Sequence, residues 1–221
     1  MSANTASVVA TSSTQGERKG AGRRPGAYSR VPHTRRPKLA PNHPVHLTLR
    51  LRREVWSLRS HRCFRVVARA LSAGCTRFGF RLVHFSIAGN QVHIVAEAPD
   101  EVALGRGAKG LEVRMARALN RVMRRTGPVF ADRYAARALQ SPRIVRQAVL
   151  FVLHSYGVQL AARGVPVPAD YVDPCCSAWP GAPRVASACT WLLTSALRLR
   201  ASDRPPEILA ASRWDDGLRA A

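Results

Sequence analysis

The chain has 221 residues, of which 46% are apolar, so its length suits one compact domain with tails or two small domains. This apolar fraction excludes a wholly disordered protein, because enough side chains are available for a buried core. Its 35 lysines and arginines outnumber 13 acidic residues and give a formal charge of +22, which is typical of proteins that bind polyanions. All but three of these cations are arginines, whose planar guanidinium can hold a phosphate through two hydrogen bonds.

The sequence lacks the run of about 18 apolar residues that a membrane-spanning helix requires, and its first thirty residues lack the order of a secretion signal. The five cysteines are an odd number, and the pairs Cys63 with Cys75 and Cys175 with Cys176 fit neither a zinc site nor a disulfide framework. We therefore expect reduced thiols and a cytoplasmic, nucleoid-associated protein with no membrane partner.

Composition divides the chain into three parts. Residues 1–42 are rich in Ser, Thr, Gly, Pro and Arg and poor in aromatic residues, which predicts a disordered basic arm. Residues 43–157 carry regular patterning and are expected to form the main domain. Residues 158–221 are rich in proline and are interpreted as an extension with one helix near 185–200.

The main domain begins with strict alternation of apolar and polar residues over 45–51, which predicts a half-buried strand. The elements predicted after it are a helix over 60–77, strands over 81–88 and 91–98, a helix over 101–126, an extended piece over 129–139 and a helix over 142–156. This order predicts an α+β fold of ferredoxin-like type, an antiparallel sheet with helices on one face.

The turn Gly89-Asn90 between the two middle strands fixes which side chains share a face. With this turn, the cross-strand pairs are Ala88 with Gln91, Ser86 with His93 and His84 with Val95. The other face is apolar and is expected to meet the core through Val83, Phe85, Ile87, Val92, Ile94 and Ala96.

The polar face of this hairpin, together with the first strand, is a candidate metal site. Imidazoles that converge with an amide can hold a divalent cation, and such a cation polarises a phosphate. Histidines on half-exposed strands also commonly hydrogen-bond to neighbours or water, so both interpretations stay open. The candidate ligands are His46, His84, Gln91 and His93.

Arginines recur at three- and four-residue steps along the long predicted helix, at positions 114, 117, 121 and 124. Side chains at this spacing line one side of a helix and can follow a strand of phosphates. Because few acids are interleaved, the pattern favours nucleic-acid binding over an ordinary solvated face. The predicted DNA-binding residues are Arg106, Lys109, Arg114, Arg117, Arg121, Arg124, Arg133 and Arg137.

Six segments occur in order over residues 40–200: HPVHLTLRL, FGFRLVHFSIAGNQVHIVAEA, ALNRVMRRTGPVFADRYAARAL, SPRIVRQAVLFVLHSYG, DPCCSAW and TWLL. In this succession the chain resembles the REP-associated tyrosine transposases and their small bacterial relatives. The resemblance implies a histidine-hydrophobic-histidine pair that binds Mg²⁺ or Mn²⁺. It also implies a helix-borne tyrosine that cleaves single-stranded DNA through a 5′-phosphotyrosine, and a homodimer as the usual assembly.

The metal pair departs from the pattern of that family. In this subgroup it reads Asn-His-hydrophobic-His, and in this chain it reads Asn90-Gln91-Val92-His93. His93 therefore matches the second ligand, whereas Gln91 stands where the first ligand is expected.

The position of the nucleophile departs as well. The expected tyrosine is Phe151, which has no oxygen to attack with, and the asparagine one turn later is Ser155. Tyr156 follows five residues after Phe151, a rotation of about 140° on a helix, so it points elsewhere unless the helix shifts.

Together these features predict a transposase-like protein that binds single-stranded or hairpin DNA and has lost or much reduced tyrosine chemistry. One alternative is an active transposase that uses Tyr156 or Tyr134 with Mg²⁺ or Mn²⁺. Another is a basic RNA-associated protein, which ranks lower because the sequence shows no paired stacking motif on adjacent strands.

Overall fold

The computed structural model describes residues 38–197, so most of the predicted arm and residues 198–221 lie outside the described part. The elements are β1 (Val45–Arg50), α1 (His61–Gly74), β2 (Thr76–Arg77), β3 (Phe80–Ala88), β4 (Gln91–Glu97), α2 (Glu101–Val122), β5 (Ala135–Ala138), α3 (Pro142–Ala162) and α4 (Trp191–Leu197). The strands form one antiparallel sheet in the order β2-β3-β4-β1-β5. The predicted α+β class with an antiparallel sheet is confirmed.

Helices lie on both faces of this sheet. α1 and α2 cover the face with the main core, where Phe80, Leu111 and Met115 are fully buried. α3 packs on the opposite face against Val83 and Val95, with α4 beside it. The expectation of helices on one face therefore holds for α1 and α2 but is wrong for α3. The reason is that β3 and β4 carry apolar residues on their second face too, and burying these requires another layer.

Capping residues define where the helices begin. Ser60 accepts a hydrogen bond from the Cys63 backbone N–H at the start of α1, and Ser141 caps α3 directly before Pro142, as expected for an N-cap followed by proline. α2 stops at Val122, short of the predicted 126. Soon after it the backbone of Arg124 turns into the left-handed region, at φ 49°.

The β3–β4 hairpin has the predicted register: Ala88 with Gln91, Ser86 with His93 and His84 with Val95. A bulge between Leu82 and His84 changes the alternation beyond these pairs. Val83, expected on the main-core face, instead joins the second cluster under α3, and Leu82 takes the main-core side.

Glycine at two positions allows α1, α2 and the sheet to approach closely. A Cβ at Gly107 would overlap the side chain of Phe80, and a Cβ at Gly74 would overlap Leu111. From sequence alone, the glycines in the first half of α2 only weaken the helix. In the folded domain Gly107 makes room for the buried Phe80 ring.

Residues 173–190, here called the C-terminal strap, run along the edge of β3 that β2 leaves open. The backbone N–H of Ser177 donates to the backbone oxygen of Phe85 at 2.9 Å, and the N–H of Ala186 donates to the backbone oxygen of Leu82 at 2.7 Å. These bonds cover an edge that would otherwise expose unpaired donors and acceptors. The helix expected from about 185 begins only at Trp191.

Glu97, at the end of β4, holds the last residues of the strap. Its carboxylate accepts from the backbone N–H groups of Cys189 and Thr190 and from the Thr190 hydroxyl, at 2.8 to 3.1 Å. Burial alone would raise the pKa of Glu97, but these hydrogen bonds lower it below the usual value. The strap is thus attached to the sheet by a charged, buried contact.

α3 continues to Ala162, beyond the predicted end near 156. By length and composition alone it is the one helix in the described residues that is apolar enough to cross a membrane. In the domain its apolar side covers the second face of the sheet.

Candidate functional site: a histidine pocket and a basic groove on opposite faces

The second face of the sheet brings His46, His93 and Phe151 together, and these three residues are called the histidine pocket. The rings of His46 and His93 are stacked, with centroids 5.5 Å apart and planes 21° from parallel. Phe151, from α3, meets both rings edge-on, at 5.0 Å from His93 and 5.7 Å from His46. All three side chains are at most 8% exposed. The position where a tyrosine is expected therefore lies directly against the matching histidine.

Strand alternation and helix periodicity explain this meeting. His46 and His93 alternate with core-facing residues on β1 and β4, so both point away from the main core. On α3, Phe151 and Ser155 lie one turn apart and face the sheet. The Ser155 and Ser86 hydroxyls are 2.9 Å apart, and Ser155 also donates to a backbone oxygen of its own helix.

Burial keeps the imidazole of His46 neutral. Burial, followed by the charges of His93 and Arg137, keeps the pKa of His46 well below its usual value. The Nδ1 atom of His93 lies 3.4 Å from the hydroxyl of Thr48, within reach of a weak hydrogen bond. The pairing of β1 with β5 places Arg137 directly across from His46.

His84 and Gln91, the other two candidate metal ligands, lie outside the stacked pair of His46 and His93. The Nδ1 atom of His84 lies 3.3 Å from the Ser177 hydroxyl of the strap, and burial lowers the pKa of His84 to about 4. Gln91 pairs with Arg50 and Ala88 at the hairpin end of the sheet. The side-chain oxygen of Gln91 is buried and has no hydrogen-bond partner among the described residues.

This donor set does not suit a resident Mg²⁺ or Mn²⁺. Such ions prefer carboxylate and other oxygen ligands, and the histidine pocket offers two imidazoles, with the Gln91 amide on the same strand as His93. The two imidazole rings are stacked on each other, with planes 21° from parallel. Arg137 adds a positive charge next to His46, which disfavours a cation there. No group of three His, Cys, Asp or Glu residues within 38–197 has the arrangement of a metal site.

The tyrosines considered as displaced nucleophiles are engaged elsewhere. The ring of Tyr156 lies under the guanidinium of Arg59, 3.3 Å from its centroid. Tyr134 is buried in the main core, on the face away from His93, and a Cβ at Gly105 of α2 would lie 3.7 Å from its hydroxyl. Tyr28, which the sequence places in the arm, lies outside the described residues.

The outer surface of α1 and α2 carries a second feature, here called the basic groove. It consists of two hollows of about 570 and 400 Å³ that share Arg114 and Arg117. No acidic residue lines either hollow in the described part of the chain. The six cations of the basic groove are Arg69, Arg106, Lys109, Arg114, Arg117 and Arg121.

Five of the eight arginines and lysines predicted to bind DNA thus lie together in the groove, and three do not line it. Arg124 lies past the end of α2, because the helix stops before it. Arg133 precedes β5, and Arg137 lies on β5 beside His46, on the opposite face of the sheet.

Two residues of the groove, Arg69 and Phe78, and the ion pair of Arg59 with Asp173 are not among the residues predicted from sequence. Arg69 repeats at helical spacing with the other arginines of α1, a pattern that could have identified it. Phe78 precedes a glycine between β2 and β3, and this glycine indicates a turn but does not indicate which residues surround it. The ion pair joins residues 114 positions apart, and no local pattern indicates it.

A scan against protein-family models gives no match, and neither does a search of curated proteins. Among solved structures the chain is similar to one described as the REP-associated tyrosine transposase bound to a REP hairpin. The sequence identity is 13%, the match covers 71% of this chain and 100% of the other, and the TM-score is 0.48.

Proposed function

We propose that this protein binds single-stranded or hairpin DNA through the basic groove and has lost strand cleavage by a tyrosine. The observation that carries the loss of chemistry is the contact of Phe151 with His93, at 5.0 Å between ring centroids. A phenylalanine at this position offers no nucleophilic oxygen. The side chains around it form a packed, largely apolar layer.

The proposed binding rests on the charge of the groove. Its six cations follow two packed helices and face no lining acid, so their field is not neutralised locally. If each contacts one phosphate, the logarithm of affinity should fall with the logarithm of salt at a slope of about −4 for a single strand. Affinity should then drop roughly 10²- to 10³-fold between 50 and 200 mM salt.

Binding is tested by fluorescence anisotropy with a labelled hairpin that carries a single-stranded flank. The double variant Arg114→Ser with Arg117→Ser should bind roughly tenfold more weakly and lower the salt slope by one to two. A matched control removes the same charge at the two ends of α3, through Arg143→Ser with Arg163→Ser, both exposed. Equal loss in both double variants, or salt-insensitive binding, contradicts the groove as the binding surface.

The loss of chemistry is tested by a covalent-adduct assay in SDS with a labelled hairpin and Mn²⁺. Wild type should give no adduct, and neither should Gln91→His or Phe151→Tyr alone. The double variant should give one, and adding Tyr156→Phe should leave it in place. If the double variant folds and binds but forms no adduct, the correspondence of Phe151 with the nucleophile is wrong. An adduct in wild type that Tyr156→Phe or Tyr134→Phe abolishes supports the active transposase instead.

The RNA-associated alternative and the predicted homodimer can be tested with the same samples. Competition by structured RNA stronger than that by DNA of equal length would favour the RNA-associated alternative. Sedimentation of the protein with and without the hairpin tests the homodimer.

A further inference from the structure

We infer that Phe78 stacks on an unpaired base of a strand whose phosphates lie in the basic groove, so that the groove prefers single-stranded nucleic acid to duplex. This inference rests on the proposed function and specifies the ligand of the same surface. Phe78 is 63% exposed and lines the larger hollow together with Arg106, Lys109 and Arg114. Val113, 38% exposed, lies in the same hollow and extends its apolar part.

The backbone of Phe78 shows that this ring is not there to stabilise the turn. Phe78 and Gly79 are the two central residues of the turn between β2 and β3, with φ of 58° and 80°. The left-handed region is unfavourable for a bulky side chain, and asparagine or glycine normally occupies such a turn. An exposed ring also gains little from burial. The fold thus keeps an aromatic ring at a strained, exposed position, a combination that points to a role in binding.

The neighbours of Phe78 define the chemistry of its ligand. Aromatic rings beside a cationic channel bind single strands, because the ring stacks on a base while the cations hold phosphates. Arg106 and Lys109 lie one helical turn apart next to the ring, and Arg117 continues the row on α2. In a duplex the faces of the bases are already stacked on one another, so the ring finds no free face. DNA and RNA strands share this chemistry, and any base satisfies it.

The test measures binding of labelled 12-nucleotide strands by anisotropy: oligo-dT, oligo-U, an abasic strand and a dT·dA duplex. Phe78→Asn should weaken oligo-dT binding roughly 5- to 100-fold and change abasic and duplex binding less than twofold. Phe78→Tyr should retain most of the affinity. Trp191→Ala, which removes an aromatic ring that is 71% exposed and outside the groove, is the matched control. The oligo-U arm distinguishes an RNA ligand from a DNA ligand.

Thermal unfolding separates a binding role from a structural one. Because asparagine tolerates the left-handed region, Phe78→Asn should unfold at an equal or higher temperature while it binds more weakly. Salt-dependent binding by wild type with an unchanged Phe78→Asn variant overturns this inference and leaves the proposed function intact. Absence of wild-type binding to every probe and to the labelled hairpin contradicts the proposed function itself. Equal losses on the abasic strand and oligo-dT also overturn the stacking role.

Discussion

The two faces of the sheet differ in where their polar groups lie. On the face under α1 and α2 the layer against the sheet is apolar, and the charges lie outside it, exposed in the basic groove. On the face under α3 the polar groups are inside: two stacked imidazoles, two serine hydroxyls in contact, and a carboxylate at each end of the strap. One face carries its charges exposed to solvent, and the other buries its polar groups under a helix.

This difference separates the exposed cations from the buried imidazoles. The groove and the histidine pocket lie on opposite sides of one sheet, so a side chain in the pocket can change without altering the groove. The proposed loss of a nucleophile at Phe151 would therefore leave the proposed phosphate-binding surface intact. Changes on the buried face should affect stability, whereas changes on the groove face should affect binding.

The largest expected effect is on the buried face, at the ion pair that holds the strap. Arg59 donates to both carboxylate oxygens of Asp173, at 2.6 and 2.9 Å, and to the backbone oxygen of Ile87. Asp173 is 2% exposed, so Arg59→Ala leaves a buried carboxylate without its partner. We expect a loss of about 3–5 kcal/mol in the free energy of unfolding, measured in urea.

Arg62→Ala is the control for this variant, because it removes an exposed arginine of α1. Its effect should stay within about 0.5 kcal/mol. A loss in Arg59→Ala no larger than in the control would mean that the strap is not held by this pair, and the contrast between the faces would fail.

The next effect concerns acidification. His84 stays neutral in the folded domain down to about pH 4, whereas the unfolded chain binds a proton near the ordinary value of 6.5. Below pH 6.5 the unfolded state therefore takes up a proton that the folded state excludes, and stability is lost as the pH falls toward 4. Between pH 7 and pH 5 this group should cost about 2 kcal/mol.

The check is urea unfolding at both pH values for wild type, His84→Gln and the exposed-site control His61→Gln. The glutamine at position 84 retains a polar atom for Ser177 but takes up no proton. The pH dependence should therefore shrink in His84→Gln and persist in His61→Gln. A pH dependence unchanged by His84→Gln would show that His84 takes up a proton as readily in the folded domain as in the unfolded chain.

Much of this arrangement follows from patterns local in sequence. Turn chemistry and strand period predict that Ser86 pairs with His93, and the Ser141-Pro142 pair predicts the start of α3. Phe151 and His93, which only the resemblance links, are in contact. Alternation alone puts His46 and His93 on one face, although not their stacked geometry.

The remainder depends on contacts between distant parts of the chain. The bulge that redirects Val83 is a backbone irregularity without a residue signature. α3 forms a second layer because the face of the sheet beneath it carries apolar residues that must be buried. The order of predicted helices and strands does not show that α3 packs on this face. The groove combines Arg69 of α1, the α2 arginines and a turn residue, Phe78, and these meet only when the two helices pack.

The smallest expected effect returns to the groove face, at two glycines of α2. A Cβ at Gly110 would lie 3.0 Å from the guanidinium of Arg114, a flexible tip that can move aside. Gly110→Ala should therefore raise stability by about 0.5–1 kcal/mol through helix propensity. Gly107→Ala, three residues earlier, should lower it by about 1–3 kcal/mol, because its Cβ meets the buried Phe80. In urea unfolding, the two variants should change the free energy of unfolding in opposite directions, and Gly110→Ala should keep its DNA affinity within twofold of wild type. This result would show that the groove tolerates an added methyl group, whereas the core beneath it does not. Destabilisation by both would mean that the groove floor is as tightly packed as the core beneath it.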